Sequence, residues 1–325
     1  MLKKLQGKCD LFIHNRQEMQ KGFTWDYPAV KGLSAMLCTV CGQKVDINYI
    51  RTCRKMLRQE LAGTGYVEGQ ALISAATLLA LSKDSVRRFQ HMMRLYNMFV
   101  HSGFQASVYT LMIALNIAEY KDESQYEAIV ERAADTYEKL MHNEWFAKLD
   151  LQQAYKEVCA VSFAEMDSEA YFEKTRKCYS ILEEVLPTWG SIYVVTDALL
   201  INSSNAEKKC RYVIDIYNKL RQAGYEFRED FEYSVLGVLA LVCDSTDQAV
   251  EDVITVCRYL ESRSEFNQFN MQRDQYLTYA AMLVEAQYIE DIELGQYISE
   301  FVGDVFVTMN ISIIINMVEN ASSNI

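Results

Sequence analysis

Proline occurs twice and glycine thirteen times in 325 residues, too little punctuation for the many tight turns of a sandwich or barrel. Histidine occurs four times, at His14, His91, His101 and His142, and never in the paired spacing of a zinc hydrolase. Gly63-Thr64-Gly65 with Gly69 has no strand before it and no Gly-Lys-Ser/Thr after it, so it reads as a joint and not as a phosphate loop. The longest apolar stretch, Phe301 to Val318, is broken by Asp304, Asn310 and Asn316. It falls short of the ~20 apolar residues that cross a bilayer, and it is expected to be a buried final helix or a contact between subunits. Residues Leu5 to Asp10 are too polar for the core of an export signal, which points to a cytoplasmic protein without a membrane span.

What the chain does have is hydrophobic content of 50% with 23% charged residues, the balance of a folded globular protein. A short segment recurs about every 40 residues. It stands as Leu95-Tyr96-Asn97-Met98-Phe99, Thr136-Tyr137-Glu138-Lys139-Leu140, Cys178-Tyr179-Ser180-Ile181-Leu182, Ile216-Tyr217-Asn218-Lys219-Leu220 and Val256-Cys257-Arg258-Tyr259-Leu260. A period of this length marks stacked helical hairpins, in which each unit buries its apolar face on its neighbours. Each hairpin reads as an apolar helix, a polar turn, and an amphipathic helix carrying the recurring segment. The apolar helices are Ala71 to Leu81, Ser107 to Ala118, Ala154 to Met166, Ile192 to Ile201 and Tyr233 to Cys243. Asp and Ser recur in the turns because their side chains accept from the free N–H groups that open the next helix. Gly103 and Gly224, each followed by an aromatic residue, are placed to end helices in the left-handed conformation. A sixth pair is expected at Tyr276 to Ile289 and Ile292 to Phe306, with Glu290, Asp291 and Glu293 at the turn between them.

The expected fold is therefore all-α, an irregular α-solenoid of stacked helical hairpins like tetratricopeptide or HEAT arrays. Residues 1–68 form a separate N-terminal helical region of three helices, about Leu2 to Lys21, Ala29 to Cys41 and Asp46 to Ala62, with Asp46 as a cap. Residues 69–325 form about six hairpins and a capping C-terminal helix, continuous with it. The period exceeds the 34 residues of the tetratricopeptide repeat and its residue signature is absent, while the irregularity of the units also allows a compact bundle.

The charge is uneven. From Arg221 onward there are 18 acidic residues, 5 arginines and no lysine, a net of −13, whereas residues 1–220 carry 27 basic and 26 acidic residues. A solvated acidic surface that keeps the protein soluble accounts for this. Alternatively the field attracts a basic protein or peptide partner, and in either case it repels nucleic acid.

Chemistry-bearing clusters are scarce. Nine cysteines are scattered through helical patterns and read as reduced thiols packed as small apolar groups. Cys38-Thr39-Val40-Cys41 is the one local pair, half of what a zinc site needs. Glu138 and His142 share a helix face, with no third group to make them catalytic. No catalytic residue, metal ligand or cofactor is therefore expected. Two polar residues interrupt apolar helices, Asn116 in Ala114-Leu115-Asn116-Ile117-Ala118 and Asp197 in Val195-Thr196-Asp197-Ala198-Leu199. If buried, each must bond to a neighbouring unit or contact a ligand, since an unsatisfied group costs about 1 to 3 kcal/mol.

Four stretches together resemble an uncharacterised all-helical family of Gram-positive bacteria, domain of unknown function four thousand and three. They are Phe23-Thr24-Trp25 followed by Leu33-Ser34-Ala35-Met36-Leu37, then Ala75-Ala76-Thr77-Leu78-Leu79, then Ile216-Tyr217-Asn218-Lys219-Leu220, and the apolar tail. The resemblance covers nearly the whole chain and implies a cytosolic bacterial protein, without an activity or functional residues. The expected function is a non-enzymatic scaffold that binds a protein or peptide. The alternative is an intracellular sensor enclosing a small molecule or signalling peptide, with Asn116 or Asp197 as polar anchors.

Overall fold

The computed structural model describes residues 3–62, 72–143, 145–146, 154, 158, 167–200, 205–263 and 273–294. Among them the chain is all-α, with thirteen α-helices and no strand. The helices are α1 (Lys3–Gly22), α2 (Pro28–Val40), α3 (Ile47–Leu61), α4 (Leu72–Leu81), α5 (Ser85–His101), α6 (Val108–Tyr120) and α7 (Tyr126–His142). They continue with α8 (Ser168–Leu182), α9 (Trp189–Leu200), α10 (Ala206–Gln222), α11 (Ser234–Val242), α12 (Thr246–Glu261) and α13 (Arg273–Leu294).

Local chemistry explains where the helices start and stop. Asp46, Asp84 and Asp167 accept from the backbone N–H groups of Tyr49, Arg87 and Ala170, and Ser107 and Ser245 do the same for Thr110 and Gln248. Each bond satisfies a donor that the first helical turn leaves free. Gly103 and Gly224 have φ of 95° and 81°, and the N–H groups of Phe104 and Tyr225 reach back to the carbonyls of Phe99 and Leu220 at 3.1 and 2.9 Å. Phe104 then closes edge-on against Phe99, with ring centroids 5.2 Å apart.

The described residues fall into two compact units. One lies within Glu18–Cys41, Val45–Tyr171 and Ile314–Ile325, the other within Met1–Gln17, Gly42–Lys44 and Phe172–Ile313. In the first, the apolar helices α2, α4 and α6 pack in succession, and the amphipathic α3 and α5 pack on α4 and α6 respectively, with α7 against α5. The second repeats the scheme: α9, α11 and α13 pack in succession, α10 lies on α11, and α12 lies on both α10 and α13. α5, α10 and α12 thus pack more extensively on the apolar helix of the next repeat than on their own hairpin partners. This follows from the apolar helices having no polar face: residues Gly190 to Leu200 of α9 and all of α11 are buried, so they need neighbours on every side.

The recurring segment does the packing expected of it. Leu95, Tyr96, Phe99, Leu140, Leu182, Ile216, Leu220, Val256 and Leu260 are all buried. Where two apolar helices cross most closely, a glycine makes room. A Cβ on Gly237 of α11 would lie 2.7 Å from the Cβ of Ala198 and 2.9 Å from the carbonyl oxygen of Val195 on α9.

One helix differs from its expected course. Glu290 and Asp291 do not sit at a turn, because α13 runs unbroken from Arg273 to Leu294. Within the second unit their carboxylates bind lysines of α1 instead, Glu290 to Lys8 at 2.5 Å and Asp291 to Lys4 at 3.1 Å. Phe12 of α1 packs on Tyr279 with centroids 5.0 Å apart, and Asp10 accepts from the Tyr259 hydroxyl at 2.5 Å. The Gly63 joint, the Ile292 to Phe306 helix beyond Leu294, the apolar tail and most of Ala154 to Met166 lie outside the described residues.

Candidate functional site

In the first unit, the connection between α1 and α2 forms one wall of a cleft and α3 forms the other. Pro28 occupies the first turn of α2 and holds Tyr27 extended, at φ −59° and ψ 139°, as the residue before a proline must be. The five residues before it, Phe23 to Tyr27, have to turn the chain. The N–H of Phe23 still bonds to Met19 at 3.0 Å and that of Asp26 bonds back to Phe23 at 3.3 Å. Phe23 is buried by this turn, while Trp25 is thrown outward and stays 97% exposed. Gly22, the last residue of α1, has no room for a side chain because Ile47 fills that space, its Cδ1 lying 2.5 Å from an added Cβ.

Helix α3 divides cleanly into two faces. Ile50, Cys53, Leu57 and Leu61 are buried, and Arg51, Arg54, Lys55 and Arg58 recur at i, i+3, i+4 and i+7 on another face, the spacing that lines up side chains along a helix. Arg54 is committed to structure. Its Nη1 and Nη2 donate to Asp26 Oδ2 and Oδ1 at 3.0 and 2.8 Å, and the two side chains are only 15% and 9% exposed. A bidentate pair of this kind fixes geometry as well as charge, so it clamps the Trp25 turn to α3. Arg51 reinforces the clamp, donating to the Gly22 carbonyl at 2.7 Å with its guanidinium 5.7 Å from the Phe23 ring centre. The resulting cleft has a volume of about 420 Å³ and is lined by residues 22–26 together with Arg51, Arg54, Lys55 and Arg58.

Four cations against one carboxylate make this cleft basic, and its rim carries the most exposed large apolar side chain among the described residues. Covering an indole contributes roughly 4 to 6 kcal/mol gross, taking about 25 cal/mol per Å² over the 150–250 Å² an aromatic side chain can bury. The one carboxylate of the lining, Asp26, is held by Arg54. The chemistry of the cleft is recognition: fixed cations for an anion, and an apolar platform beside them.

The residues singled out by sequence lie elsewhere. Asn116 is buried on α6, where its Nδ2 donates to the Met112 carbonyl at 2.8 Å while its Oδ1 has no hydrogen-bond partner among the described residues. Asp197 is buried on α9 in the second unit. The Cys38 thiol is buried at the end of α2, and desolvation pushes it up to about 12. A thiol held protonated in this way is a poor nucleophile and a poor ligand. Cys41, just past the end of α2, is exposed. His142 bonds through Nδ1 to the Glu138 backbone carbonyl at 2.8 Å, and no group of three or more potential metal ligands occurs among the described residues. No described helix is long and apolar enough to cross a membrane.

The cleft residues were readable in part. A row of basic residues at helical spacing on the predicted third helix is a visible signal. Nothing in the sequence places Trp25 beside that row, since the turn that does so depends on the Arg54–Asp26 clamp.

Compared with known proteins, residues 15–320 match a family model described as Protein of unknown function (DUF4003). No curated protein and no solved structure matches the chain.

Proposed function

The chain belongs to this DUF4003 family, whose description brings no activity with it, and on that premise we propose a cytoplasmic, non-enzymatic scaffold of the α-solenoid kind that binds a protein or peptide. The observation that carries the reading is Trp25, 97% exposed at the rim of a preformed basic cleft. An indole left in water on a clamped turn contributes no packing to the fold and is available to a partner, and tryptophan and arginine dominate the energetics of interfaces.

The basic partner expected from the acidic C-terminal third has less support. Several of its carboxylates are already engaged: Glu226 by Arg221, Asp247 by Lys219, Glu290 by Lys8 and Asp291 by Lys4. Others serve the fold, as Asp252 accepts from the Tyr288 hydroxyl and Glu232 accepts from the N–H groups of Arg228 and Glu229. A second reading, the small-molecule sensor, draws on the unpaired Oδ1 of Asn116, a buried acceptor for which a ligand could supply a donor.

Affinity capture with the full chain tests these against each other, using the wild type and Trp25→Ala side by side. A protein recovered in stoichiometric amount by the wild type and lost by Trp25→Ala supports the scaffold. A metabolite retained equally by both, with no protein, supports the sensor and defeats the scaffold.

A further inference from the structure

We propose that Cys178 and Cys210 close reversibly into a disulfide when the protein meets a peroxide, stapling α8 to α10 in the second unit. The two thiols stand 32 positions apart in sequence, yet helix packing brings them into direct hydrogen-bond contact. α8 and α10 are the amphipathic helices of successive repeats, so a bond between them locks one repeat to the next. Three observations carry this.

The first is burial. Cys178 and Cys210 are 1% and 0% exposed, and both belong to the same compact unit. A contact held inside one packed unit is present whenever that unit is folded, and such fixed proximity favours an internal bond over reaction with an external thiol. The second is the asymmetry of the pair. The Cys210 thiol donates to the Cys178 sulfur, and this bond draws the Cys178 pKa below its ordinary 9.0 against the opposing effects of burial and Glu207, with Lys174 assisting. Cys210, the donor, is pushed upward by the same bond and by burial. One sulfur is therefore the nucleophile while the other keeps the proton, the division between an attacking and a resolving cysteine. The third is position. Lys174 and Glu207 stand one helical turn before the two cysteines, Lys174 half-buried and Glu207 exposed, so the sulfurs lie just beneath a charged surface. A peroxide is little larger than water and reaches them through small local openings, whereas a bulky disulfide oxidant does not.

In the reaction the Cys178 thiolate attacks a peroxide oxygen, forming an S–O bond as the O–O bond breaks. The hydroxide that leaves takes the Cys210 proton and becomes water. The Cys210 thiolate then attacks the Cys178 sulfenic acid, forming the S–S bond as the S–O bond breaks, and the second hydroxide takes up the proton that Cys178 first released. Two thiols and one peroxide give one disulfide and two waters, and a dithiol reductant reverses the change by exchange.

The test treats the intact wild-type protein at pH 7 with a slight molar excess of hydrogen peroxide, followed by intact mass and by peptide mapping without reduction. The expected result is a loss of about 2 Da located to a Cys178–Cys210 link and reversed by dithiothreitol. The link should form at least tenfold faster than any oxidation at Cys9 or Cys38, whose thiols burial holds at about 12. The linked protein should melt about 5 to 10 °C higher, since the bond closes a loop of the unfolded chain. Glutathione disulfide at the same concentration should leave the pair reduced. Cys210→Ser keeps a hydrogen-bond donor and should leave Cys178 as a sulfenic acid that dimedone captures, whereas Cys178→Ser should leave Cys210 unoxidised. The wild-type mapping stands even where a serine variant fails to fold. Absence of the link in folded protein, a different cysteine pair linking first, capture at Cys210, or a melting temperature that stays level or falls would each overturn the proposal. So would equally fast linkage by glutathione disulfide.

Discussion

Replacing Glu285 with methionine should stabilise the protein, and by more at pH 8 than at pH 5. Glu285 lies on α13 with 0% of its surface exposed, and neither carboxylate oxygen has a hydrogen-bond partner among the described residues. Burial in these surroundings holds its pKa well above the ordinary 4.5, so the folded protein keeps the proton at pH values where the unfolded chain has released it. Above the ordinary pKa the folded state therefore binds more protons than the unfolded state, and stability falls as pH rises, by up to about 1.4 kcal/mol per pH unit until the folded-state pKa is reached. Even as the neutral acid the side chain leaves polar atoms unsatisfied, at about 1 to 3 kcal/mol. Methionine is close in volume and removes both costs. The gain should therefore be about 1 to 3 kcal/mol near pH 4.5 and grow steadily above it, a rise of about 2 to 4 °C per kcal/mol in the melting of a unit of this size. Glu285→Gln separates the two contributions, since it abolishes the titration but keeps a buried polar group. Urea midpoints of the three proteins between pH 4.5 and 8 decide the matter. Parallel profiles with a constant offset would show that Glu285 does not titrate as argued. A methionine variant less stable at every pH would show that the carboxyl has a partner after all.

Further outcomes follow from particular contacts. Gly237→Ala should destabilise by about 1 to 3 kcal/mol in urea unfolding, since its Cβ would press on Ala198 and the Val195 carbonyl, 2.7 and 2.9 Å away, and backbone cannot yield as a side chain does. Asp46→Ala should cost about 1 kcal/mol through loss of the 3.0 Å cap on the Tyr49 N–H, and Asp46→Asn should restore most of it. Cys38, buried and raised to about 12, should alkylate with iodoacetamide at pH 8 at least a hundredfold more slowly than in urea, followed by mass spectrometry. Equal rates in both conditions would show that this thiol is not desolvated in the folded protein.

Much of this fold was determined by the sequence alone. The 40-residue recurrence, the apolar run of helices such as Ser234–Val242, and the Asp and Ser caps are local or periodic features, and local features survive into structure because helices are closed by bonds between near neighbours. Gly103 and Gly224 ended helices as their αL tolerance requires. What tertiary structure decided is which distant residues meet. The acidic residues at 290 and 291 looked like a helix start because dipole and turn arguments see only their neighbours, whereas they lie inside a continuous helix and pair with lysines of α1, far away in sequence. Asn116 and Asp197 stood out as polar breaks in apolar runs, yet the cleft formed elsewhere, from the basic face of α3 and from Phe23-Thr24-Trp25, which stood out only as a family signature. Its cation row is written in the spacing of α3. The indole beside it is placed by a clamp between Asp26 and Arg54, 28 positions apart, and a pairing across that separation depends on how the helices pack, which no local pattern encodes.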